Sequence, residues 1–429
     1  MAIPSQCNDS ALIVAAKQVL HGNRHIGRSQ WEDRSFDFVC PSNVTYPFQW
    51  LWDSCFHAIA LTHVDVKLAQ QELLCLLQAA QPNGFIPHMI LWEREQHLTQ
   101  VAHYSIATLN DYLTAISQPP VLAQAVERVS NAGHADAFLA GVLPRVKAYY
   151  RWWIQNRDPD HDDLVAIIQP DESGLDALPS YDALLDLPTL DQDGLRHAMA
   201  RLFAAYAPLP YDPAALIAAD VFVVEDLLTN CVYAQGLRAL ARLCYVNSEQ
   251  NDAAEFDQLA GRVEQALVDK CYDARRGIFF DLLGNAEKPS GVVTVTSLLP
   301  LILDHLDASI CRRLVDEHLR NPAEFWLPYP LPSVAANEPF FDPEAKTDLL
   351  WRGSTWVNMN WFLVGGLRRH GYENVADELA ARTLKMVARG GIREYYSPYS
   401  GAGYGARNFG WTTLVLDFVV QNNTTTHRG

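Results

Sequence analysis

Apolar residues recur at helical spacing along most of this 429-residue chain, and this pattern restricts its fold more than any other feature. Residues three or four positions apart lie on one face of a helix, so the pattern predicts amphipathic helices that share a core. No long segment alternates with a period of two, although 164–168 and 277–281 are candidate short strands. We predict helices over 10–20, 53–63, 66–80, 104–117, 135–156, 195–206, 221–246, 251–271, 292–304, 308–319, 356–370, 373–389 and 409–421.

Many of the connections between these helices are long and rich in aromatic residues, Pro and Gly. Long loops in a compact protein are usually functional. About twelve helices with long loops at alternate connections predict an all-α fold of six helical hairpins, closed into an (α/α)6 barrel with the loops at one mouth. No Gly/Ser-rich linker divides the chain, so we expect one domain over 1–429. The long loops are 21–52, 81–103, 157–194, 207–220, 321–355 and 390–408.

Composition limits the class of partner. Hydrophobic residues make up 49% of the chain and charged residues 19%, which suits a large buried core and argues against disorder. The formal net charge of -17 repels phosphate backbones and anionic membranes, so nucleic acid is not an expected partner. The N-terminus lacks a signal-peptide pattern, and no stretch reaches membrane-spanning length. The eight cysteines lack C-x-x-C spacing, which indicates free thiols in a reducing compartment, so we expect a cytoplasmic protein. The expected partner is a small molecule.

Three stretches combine aromatic residues with polar ones. Residues 351–361 (WRGSTWVNMNW) hold three tryptophans spaced five apart, which cannot share one helical stripe, so at least one should face a cavity. Residues 46–53 (YPFQWLWD) and 393–398 (REYYSP) have a similar character. Aromatic rings cover the C–H faces of a sugar, and arginine donates hydrogen bonds in a planar fork. We expect the fold to bring these stretches together around a sugar-binding pocket.

Acidic residues in two long loops are candidates for catalysis. Residues 171–182 (DESGLDALPSYD) hold four carboxylates, and Glu394 lies between Arg393 and a pair of tyrosines. Glycosidic bond cleavage needs two carboxyl groups: one protonates the leaving oxygen, and the other activates water or attacks the anomeric carbon. The spacing alone does not identify which carboxylates act.

An acidic run at 158–163 (DPDHDD) has the beginning of a calcium-binding loop. The sixth position of that loop requires Gly and the twelfth Glu, but the chain has Asp163 and Gln169 there. The run is therefore predicted to be a solvated turn. We expect no metal and no cofactor.

Five motifs, in order along the chain, resemble those of the bacterial branch of glycoside hydrolase family 63, above all its mannosylglycerate and glucosylglycerate hydrolases. They are 46–57 (YPFQWLWDSCFH), 83–88 (NGFIPH), 172–176 (ESGLD), 351–358 (WRGSTWVN), and 394–398 (EYYSP) followed by 409–412 (FGWT). The resemblance implies an (α/α)6 barrel and hydrolysis of an α-glycoside with inversion. It implies Asp176 as the general acid and Glu394 as the general base, about 6.5–9.5 Å apart.

The resemblance also implies a set of substrate-binding residues, in which Asp53 holds sugar hydroxyls. An aglycone with a carboxylate would need a cation, for which Arg352, Arg393 and Arg407 are candidates. The substrate-binding residues are Tyr46, Trp50, Trp52, Asp53, His88, Trp351, Arg352, Trp356, Tyr396 and Trp411.

The predicted function is that of an inverting α-glycosidase acting on a small glycosylated osmolyte, with glucosylglycerate or mannosylglycerate as the first candidates. A neutral α-glucoside, such as glucosylglycerol or a disaccharide, is an alternative substrate. A sugar epimerase on the same barrel would use histidines as acid and base. A non-catalytic sugar-binding barrel is the remaining alternative.

Overall fold

The computed structural model describes residues 6–94, 107–133, 136–209 and 212–426, which fold mainly into helices. Short helical segments that belong to neither layer of the barrel described below occur at Pro170–Ser173, Pro179–Tyr181, Asp182–Leu185 and Pro213–Ala218. The longer helices are α1 (Gln6–Gly22), α2 (Leu51–Leu61), α3 (Val66–Leu76), α4 (Leu122–Asn131), α5 (Asp136–Arg157), α6 (Gln192–Tyr206), α7 (Leu227–Val246), α8 (Gln250–Ala266), α9 (Ala308–Arg313), α10 (Val357–Arg369), α11 (Glu373–Gly390) and α12 (Val415–Thr426).

The helices form two concentric layers. The inner segments are α2, α4, α7, a 3-10 helix at Val295–Ile302, α10, and a 3-10 helix at Gly410–Leu414 that leads into α12. Each contacts the next, and Gly410–Leu414 contacts α2, so the ring closes. The outer layer consists of α1, α3, α5, α8, α9 and α11. This arrangement is the predicted (α/α)6 barrel.

The burial of each helix follows from its layer. Every residue of α2 is buried, and α7 is buried almost continuously from Leu227 to Ala241, because inner helices have protein on all sides. The outer helix α8 buries only one stripe, which includes Phe256, Leu259 and Val263. Most of the buried apolar side chains form one large cluster that extends from Leu12 to Val419, and Phe48, Met89 and Leu91 form a second, small one.

Short antiparallel strands lie within the long connections. The strands β3 (Gln49–Trp50), β4 (Met89–Ile90), β5 (Thr108–Asn110) and β6 (Leu113–Thr114) form a sheet in the order β3-β4-β6-β5. The remaining strands are β1 (Arg24–Arg28), β2 (Ser35–Val39), β7 (Val224–Glu225), β8 (Tyr272–Asp273), β9 (Ile278–Phe279), β10 (Leu282–Leu283), β11 (Lys288–Pro289), β12 (Arg393–Tyr396) and β13 (Gly403–Arg407). β1 pairs with β2, β8 with β9 and β12 with β13, and the other three form a sheet in the order β11-β10-β7.

One predicted helix is wrong. Residues 104–106 lie outside the described residues, and 107–117 contain β5 and β6 in place of helix. The helix of this part of the chain is α4, which was not predicted and begins just after Pro119 and Pro120. Proline disfavours the helical conformation in the residue before it, so the helix starts only beyond this pair.

The other predicted elements differ mainly at their ends. The helix predicted over 221–246 begins at Leu227, because Val224 and Glu225 form β7. The strand predicted in 277–281 is present as β9, whereas 164–168 contributes a single bridge between Ile167 and Val224. Among the described residues, no helix combines the length and the apolar character that crossing a bilayer requires. The predicted free thiols are buried and form no disulfide in the described part of the chain; they are Cys40, Cys55, Cys75, Cys231, Cys244, Cys271 and Cys311.

Candidate active site

A cavity of about 720 Å³ lies where several inner segments begin. Asp53 is in the first turn of α2, Gln118 precedes α4, Trp356 precedes α10, and Trp411 is in the first turn of Gly410–Leu414. The three predicted aromatic stretches therefore meet at one end of the barrel. The lining residues are Pro41, Tyr46, Trp50, Trp52, Asp53, His88, Gln118, Pro170, Asp171, Gly174, Asp176, Gln192, Leu195, Arg196, Met199, Leu350, Trp351, Trp356, Glu394, Phe409 and Trp411.

Tryptophan rings form one wall of the cavity. Trp351 and Trp356 are stacked with their ring centroids 3.6 Å apart, and Trp411 meets Trp52 edge-on at 5.3 Å. Trp351 has a φ of 64°, a left-handed conformation that is rare for a bulky residue and costs roughly 1–3 kcal/mol. The packing of the rings must hold it there. Trp361, the third tryptophan of the 351–361 stretch, lies elsewhere and donates a hydrogen bond to Asp417.

The glycine of the ESGLD motif allows the acidic loop to approach this wall. Gly174 ends the 3-10 turn Pro170–Ser173 with a φ of 68°. A Cβ atom at this position would lie 2.4 Å from Cζ2 of Trp52. Only glycine satisfies both the left-handed conformation and the close contact, so this residue sets how closely the loop bearing Asp176 approaches the tryptophans.

Two of the four loop carboxylates, those of Asp171 and Asp176, line the cavity. Burial raises the pKa of Asp176 well above its usual range, and the charges of Asp171 and Glu394 raise it further. The Asp171 carboxylate accepts a hydrogen bond of 2.6 Å from Gln169. Asp176 is therefore in surroundings that favour its protonated form.

Glu394 reaches the cavity from β12, far along the chain from the acidic loop. Its carboxylate accepts hydrogen bonds from the Ala406 amide at 2.7 Å and from the Tyr46 hydroxyl at 3.1 Å. Burial raises the pKa of Glu394, while these hydrogen bonds and the charge of Arg393 oppose the rise. The donors around Glu394 thus stabilise its ionised form, in contrast to the surroundings of Asp176.

Several buried polar atoms of lining residues have no hydrogen-bond partner in the described part of the chain. They include Oδ1 of Asp53, Nε2 of His88, and Nε1 of Trp356 and Trp411. His88 contacts Thr114 through Nδ1, and burial lowers the pKa of its ring to about 3, so it is neutral. Burial and then the charge of Glu394 raise the pKa of Asp53 well above its usual range. Unpaired buried polar groups are costly, so this cavity is suited to a ligand with many hydroxyls.

Comparison with known proteins identifies the family. Residues 46–412 match the model of the mannosylglycerate hydrolase MGH1-like glycoside hydrolase domain. The chain belongs to this family. It is 32% identical to the mannosylglycerate hydrolase of Thermus thermophilus, across 89% of this chain and 96% of that protein. It is 27% identical to the glucosylglycerate hydrolase of Mycolicibacterium hassiacum, across 88% of this chain and 92% of that protein.

Solved structures agree with the family assignment. The crystal structure of the family 63 mannosylglycerate hydrolase from Thermus thermophilus superposes with a TM-score of 0.83 at 29% identity, covering 95% of this chain and 100% of that one. The neutral trehalase of Saccharomyces cerevisiae, at 14% identity and a TM-score of 0.60, shares the fold across 96% of this chain and 81% of that one. The resemblance to family 63 found in the sequence is confirmed, and the protein is a glycoside hydrolase.

Two predicted substrate-binding residues of this glycoside hydrolase do not line the cavity. The Arg352 guanidinium is buried and makes hydrogen bonds of 2.7 and 2.6 Å to both carboxylate oxygens of Asp182. The Tyr396 hydroxyl donates to the Gly391 carbonyl at 2.7 Å and accepts from the Arg393 amide at 2.9 Å. Both side chains are engaged by the protein itself. The expected sugar contacts of Arg352 and Tyr396 therefore have no counterpart in this geometry.

The other arginine candidates also lie off the cavity wall of the glycoside hydrolase. The Arg393 guanidinium donates to the Gly405 carbonyl at 2.9 Å, and Arg407 is exposed on β13. Neither residue lines the cavity. Glu172, another acid of the 171–182 loop, is also structural, because Arg157 pairs with it at 2.7 and 2.6 Å in the core.

Sequence reasoning missed one side of the cavity. Gln192, Leu195, Arg196 and Met199 lie on one face of α6 and all line the cavity. Their spacing is a visible helical stripe, but a stripe does not say which surface it faces. Gln118 was also missed, because it directly follows the segment wrongly predicted to be helix. Of the described lining residues in this glycoside hydrolase, only Arg196 has a side chain with a permanent positive charge.

Proposed function

We propose that this glycoside hydrolase cleaves an α-glycoside of glycerate, either mannosylglycerate or glucosylglycerate, with inversion at the anomeric carbon. Asp176 is the general acid and Glu394 the general base. The activities for which the relatives are named support the substrate class. The observation that carries the proposal is that these two carboxyl groups line one cavity, with two other carboxylates acting on Asp176 and hydrogen-bond donors placed at Glu394.

The surroundings assign the two roles. Burial, and then the charges of two neighbouring carboxylates, favour a protonated Asp176, which can give up a proton. Burial raises the pKa of Glu394 as well, but two hydrogen-bond donors and the Arg393 charge oppose this rise and stabilise the ionised form, which can accept a proton. In glycosidases, two carboxyl groups in different surroundings divide the acid and base work between them.

The reaction follows from these roles. Asp176 donates its proton to the glycosidic oxygen while the bond from that oxygen to the anomeric carbon breaks. A water molecule attacks the same carbon from the opposite face and gives its proton to Glu394. The products are glycerate and a free sugar of inverted anomeric configuration. Proton exchange with solvent then restores both carboxyl groups.

The unpaired polar atoms support binding of the sugar. Oδ1 of Asp53, Nε2 of His88, and the indole N–H groups of Trp356 and Trp411 are available to hydroxyl groups of a ligand. The Asp53 carboxyl group accepts from sugar hydroxyls, and the tryptophan rings cover the C–H faces. Each of these hydrogen bonds satisfies a group that otherwise has no partner among the described residues.

The glycerate carboxylate needs a cation, because the sugar end of the cavity holds Asp53, Asp171, Asp176 and Glu394. We assign this role to Arg196 on α6. Arg196 forms an ion pair with the exposed Asp193 one turn earlier, and exposed pairs contribute about 0–1 kcal/mol. The Arg196 guanidinium can therefore exchange this partner for a substrate carboxylate at little cost.

The two other functions considered for this barrel are less well supported. The family is one of glycoside hydrolases, which sets aside a non-catalytic sugar-binding role. An epimerase would need histidines as acid and base, and His88 is the one histidine among the described lining residues.

The test is release of free sugar from mannosylglycerate and glucosylglycerate, beside glucosylglycerol, trehalose and sucrose. The wild type should cleave a glycerate substrate, and Asp176→Ala should lose that activity by at least ~100-fold. Asp316→Asn, which changes an exposed acid outside the cavity, should retain it. Proton NMR during turnover should show the inverted anomer first. Cleavage of neutral glucosides alone would overturn the glycerate assignment, and full activity in Asp176→Ala would overturn the acid.

A further inference from the structure

Four carboxylates come together outside the active-site cavity. They belong to Asp160, Asp162, Glu225 and Glu287, and one carboxylate oxygen of each lies within 4.8 Å of those of the others. The four residues come from three places in the chain: the 158–163 turn, β7, and the connection between β10 and β11. The fold thus assembles a cluster that no contiguous motif describes.

The turn presents its two aspartates in a defined way. The Asp158 carboxylate accepts hydrogen bonds from the amides of Asp162 at 3.1 Å and Asp163 at 3.2 Å, so Asp158 shapes the turn and does not belong to the cluster. Asp163 points elsewhere and pairs with Arg262 at 2.9 Å. Asp160 and Asp162 remain directed toward Glu225 and Glu287.

Glu225 is the unusual member of the cluster. Its side chain is only 8% exposed, and its Oε2 atom has no hydrogen-bond partner in the described residues. A buried carboxyl oxygen without a partner is costly, and a cation among these four residues would satisfy it.

Lys270 supplies only part of the missing positive charge. Its ammonium group contacts Asp162, and it contacts Glu287 at 2.6 Å. One ammonium group faces four carboxylates, and no ion pair joins it to Asp160 or Glu225 among the described residues. The cluster retains an excess of negative charge around the buried Glu225.

We propose that Asp160, Asp162, Glu225 and Glu287 bind a calcium ion. All four donors are hard carboxylate oxygens, which suit calcium, and calcium accepts six to eight such ligands in irregular geometry. Magnesium requires a nearly ideal octahedron, which ligands from three separate elements are less suited to supply. This inference revises the expectation of no metal. The D-x-D of the 158–163 turn lacks the rest of a contiguous calcium loop, but β7 and the β10–β11 connection supply the remaining carboxylates.

The calcium ion would tie the acidic turn to the barrel. The Ile167 amide donates a hydrogen bond of 2.8 Å to the carbonyl of Val224, which is the residue before Glu225. From Ile167 the chain continues to Asp171 and Asp176. A ligand that binds only the folded state stabilises it. The site therefore stabilises the base of the loop that enters the active-site cavity. It does not depend on the identity of the substrate.

Calcium binding should be measured on the full chain after removal of metals by chelation. Isothermal titration with CaCl₂ should show one saturable site, and the Tm should rise with Ca²⁺ more than with equal Mg²⁺ and fall again with EDTA. Glu225→Gln and Asp160→Asn should each weaken calcium binding by about 10-fold or more, because each removes a charged ligand. Asp163→Asn is the matched control in the same turn and should bind calcium as the wild type does.

Lys270→Met is the decisive second variant. Removing a positive charge that contacts two of the ligands should strengthen calcium binding. Weaker binding in Lys270→Met would place the ion elsewhere and overturn the proposal. The absence of saturable binding in the wild type would also overturn it, as would unchanged binding in Glu225→Gln and Asp160→Asn. Circular dichroism establishes that each variant is folded before it is titrated.

Discussion

Arg352 and Asp182 form a bidentate ion pair, with N–O distances of 2.7 and 2.6 Å. This contact joins the end of the loop that holds Asp176 to the stretch that holds Trp351 and Trp356. Both stretches line the cavity, so the ion pair fixes one wall relative to the other. An arginine that the sequence suggested as a ligand is thus part of the support for the site.

Arg352→Met should therefore destabilise the protein. It leaves Asp182 without its partner, and breaking a buried pair by removing one member costs about 3 kcal/mol or more. Urea denaturation measures the loss, and Arg352→Met/Asp182→Leu should recover part of it. Arg320→Met, which breaks an exposed pair with Asp316, is the control and should cost no more than ~1 kcal/mol. A loss of no more than ~1 kcal/mol in the unfolding free energy of Arg352→Met would contradict the conclusion that this ion pair supports the site.

Gly405→Ala should impair catalysis through Glu394. Gly405 has a φ of 62°, and a Cβ atom there would lie 2.4 Å from Oε2 of Glu394, so the carboxylate would have to move. If Glu394 is the general base as proposed, displacing its carboxylate by about 1 Å should lower kcat by roughly 100-fold. Gly371→Ala is a matched control, since Gly371 has a φ of 79° with nothing within 4 Å of a Cβ atom. Equal kcat values for the two variants would show that the close contact has no role.

The pH profile of kcat/KM should be bell-shaped. In the proposed mechanism Glu394 must be ionised, so activity is lost as the pH falls through the pKa of Glu394. Asp176 must be protonated, so activity is also lost as the pH rises through the pKa of Asp176. The Tyr46 hydroxyl stabilises the Glu394 anion, so Tyr46→Phe should raise the pKa of Glu394. The acid limb should move to higher pH by about one unit.

The control for this shift is Tyr404→Phe, which removes a hydrogen bond to Glu344 outside the cavity. Its acid limb should match that of the wild type. An acid limb that is unchanged in Tyr46→Phe, or that moves to lower pH, would argue against Glu394 as the group that must be ionised.

Arg196→Gln should raise the KM for a glycerate substrate by about 10- to 100-fold, the effect of losing a charge-assisted hydrogen bond. The KM for any neutral glucoside that the enzyme cleaves should not change, because such a substrate has no carboxylate to bind. Steady-state kinetics with both substrate types measure the difference. Arg145→Gln changes an exposed arginine outside the cavity lining and serves as the control. An equal rise for both substrates would contradict carboxylate recognition by Arg196.

The sequence alone predicted most of the barrel and much of the cavity wall. Helical periodicity identifies the long helices other than α4 because each must bury apolar residues, and this information is local. Tyr46, Asp53, Trp356 and Glu394 lie in aromatic or acidic stretches that helix formation does not explain, and all four line the cavity. The strands at 107–114 were mistaken for helix because short segments take their structure from pairing with distant strands, here β6 with β4.

Residues that depend on distant partners were not predictable in this way. Arg352 does not line the cavity because it pairs with Asp182. Arg196 lines the cavity because one face of α6 is turned toward it. Glu225 lies near Asp160 only because of the way β7 packs. The sequence determined the types of local structure and the supply of carboxylates and aromatic rings, because periodicity and composition are properties of neighbouring residues. Only the tertiary structure decided which charges meet, because ion pairing and burial depend on distances between residues far apart in the chain.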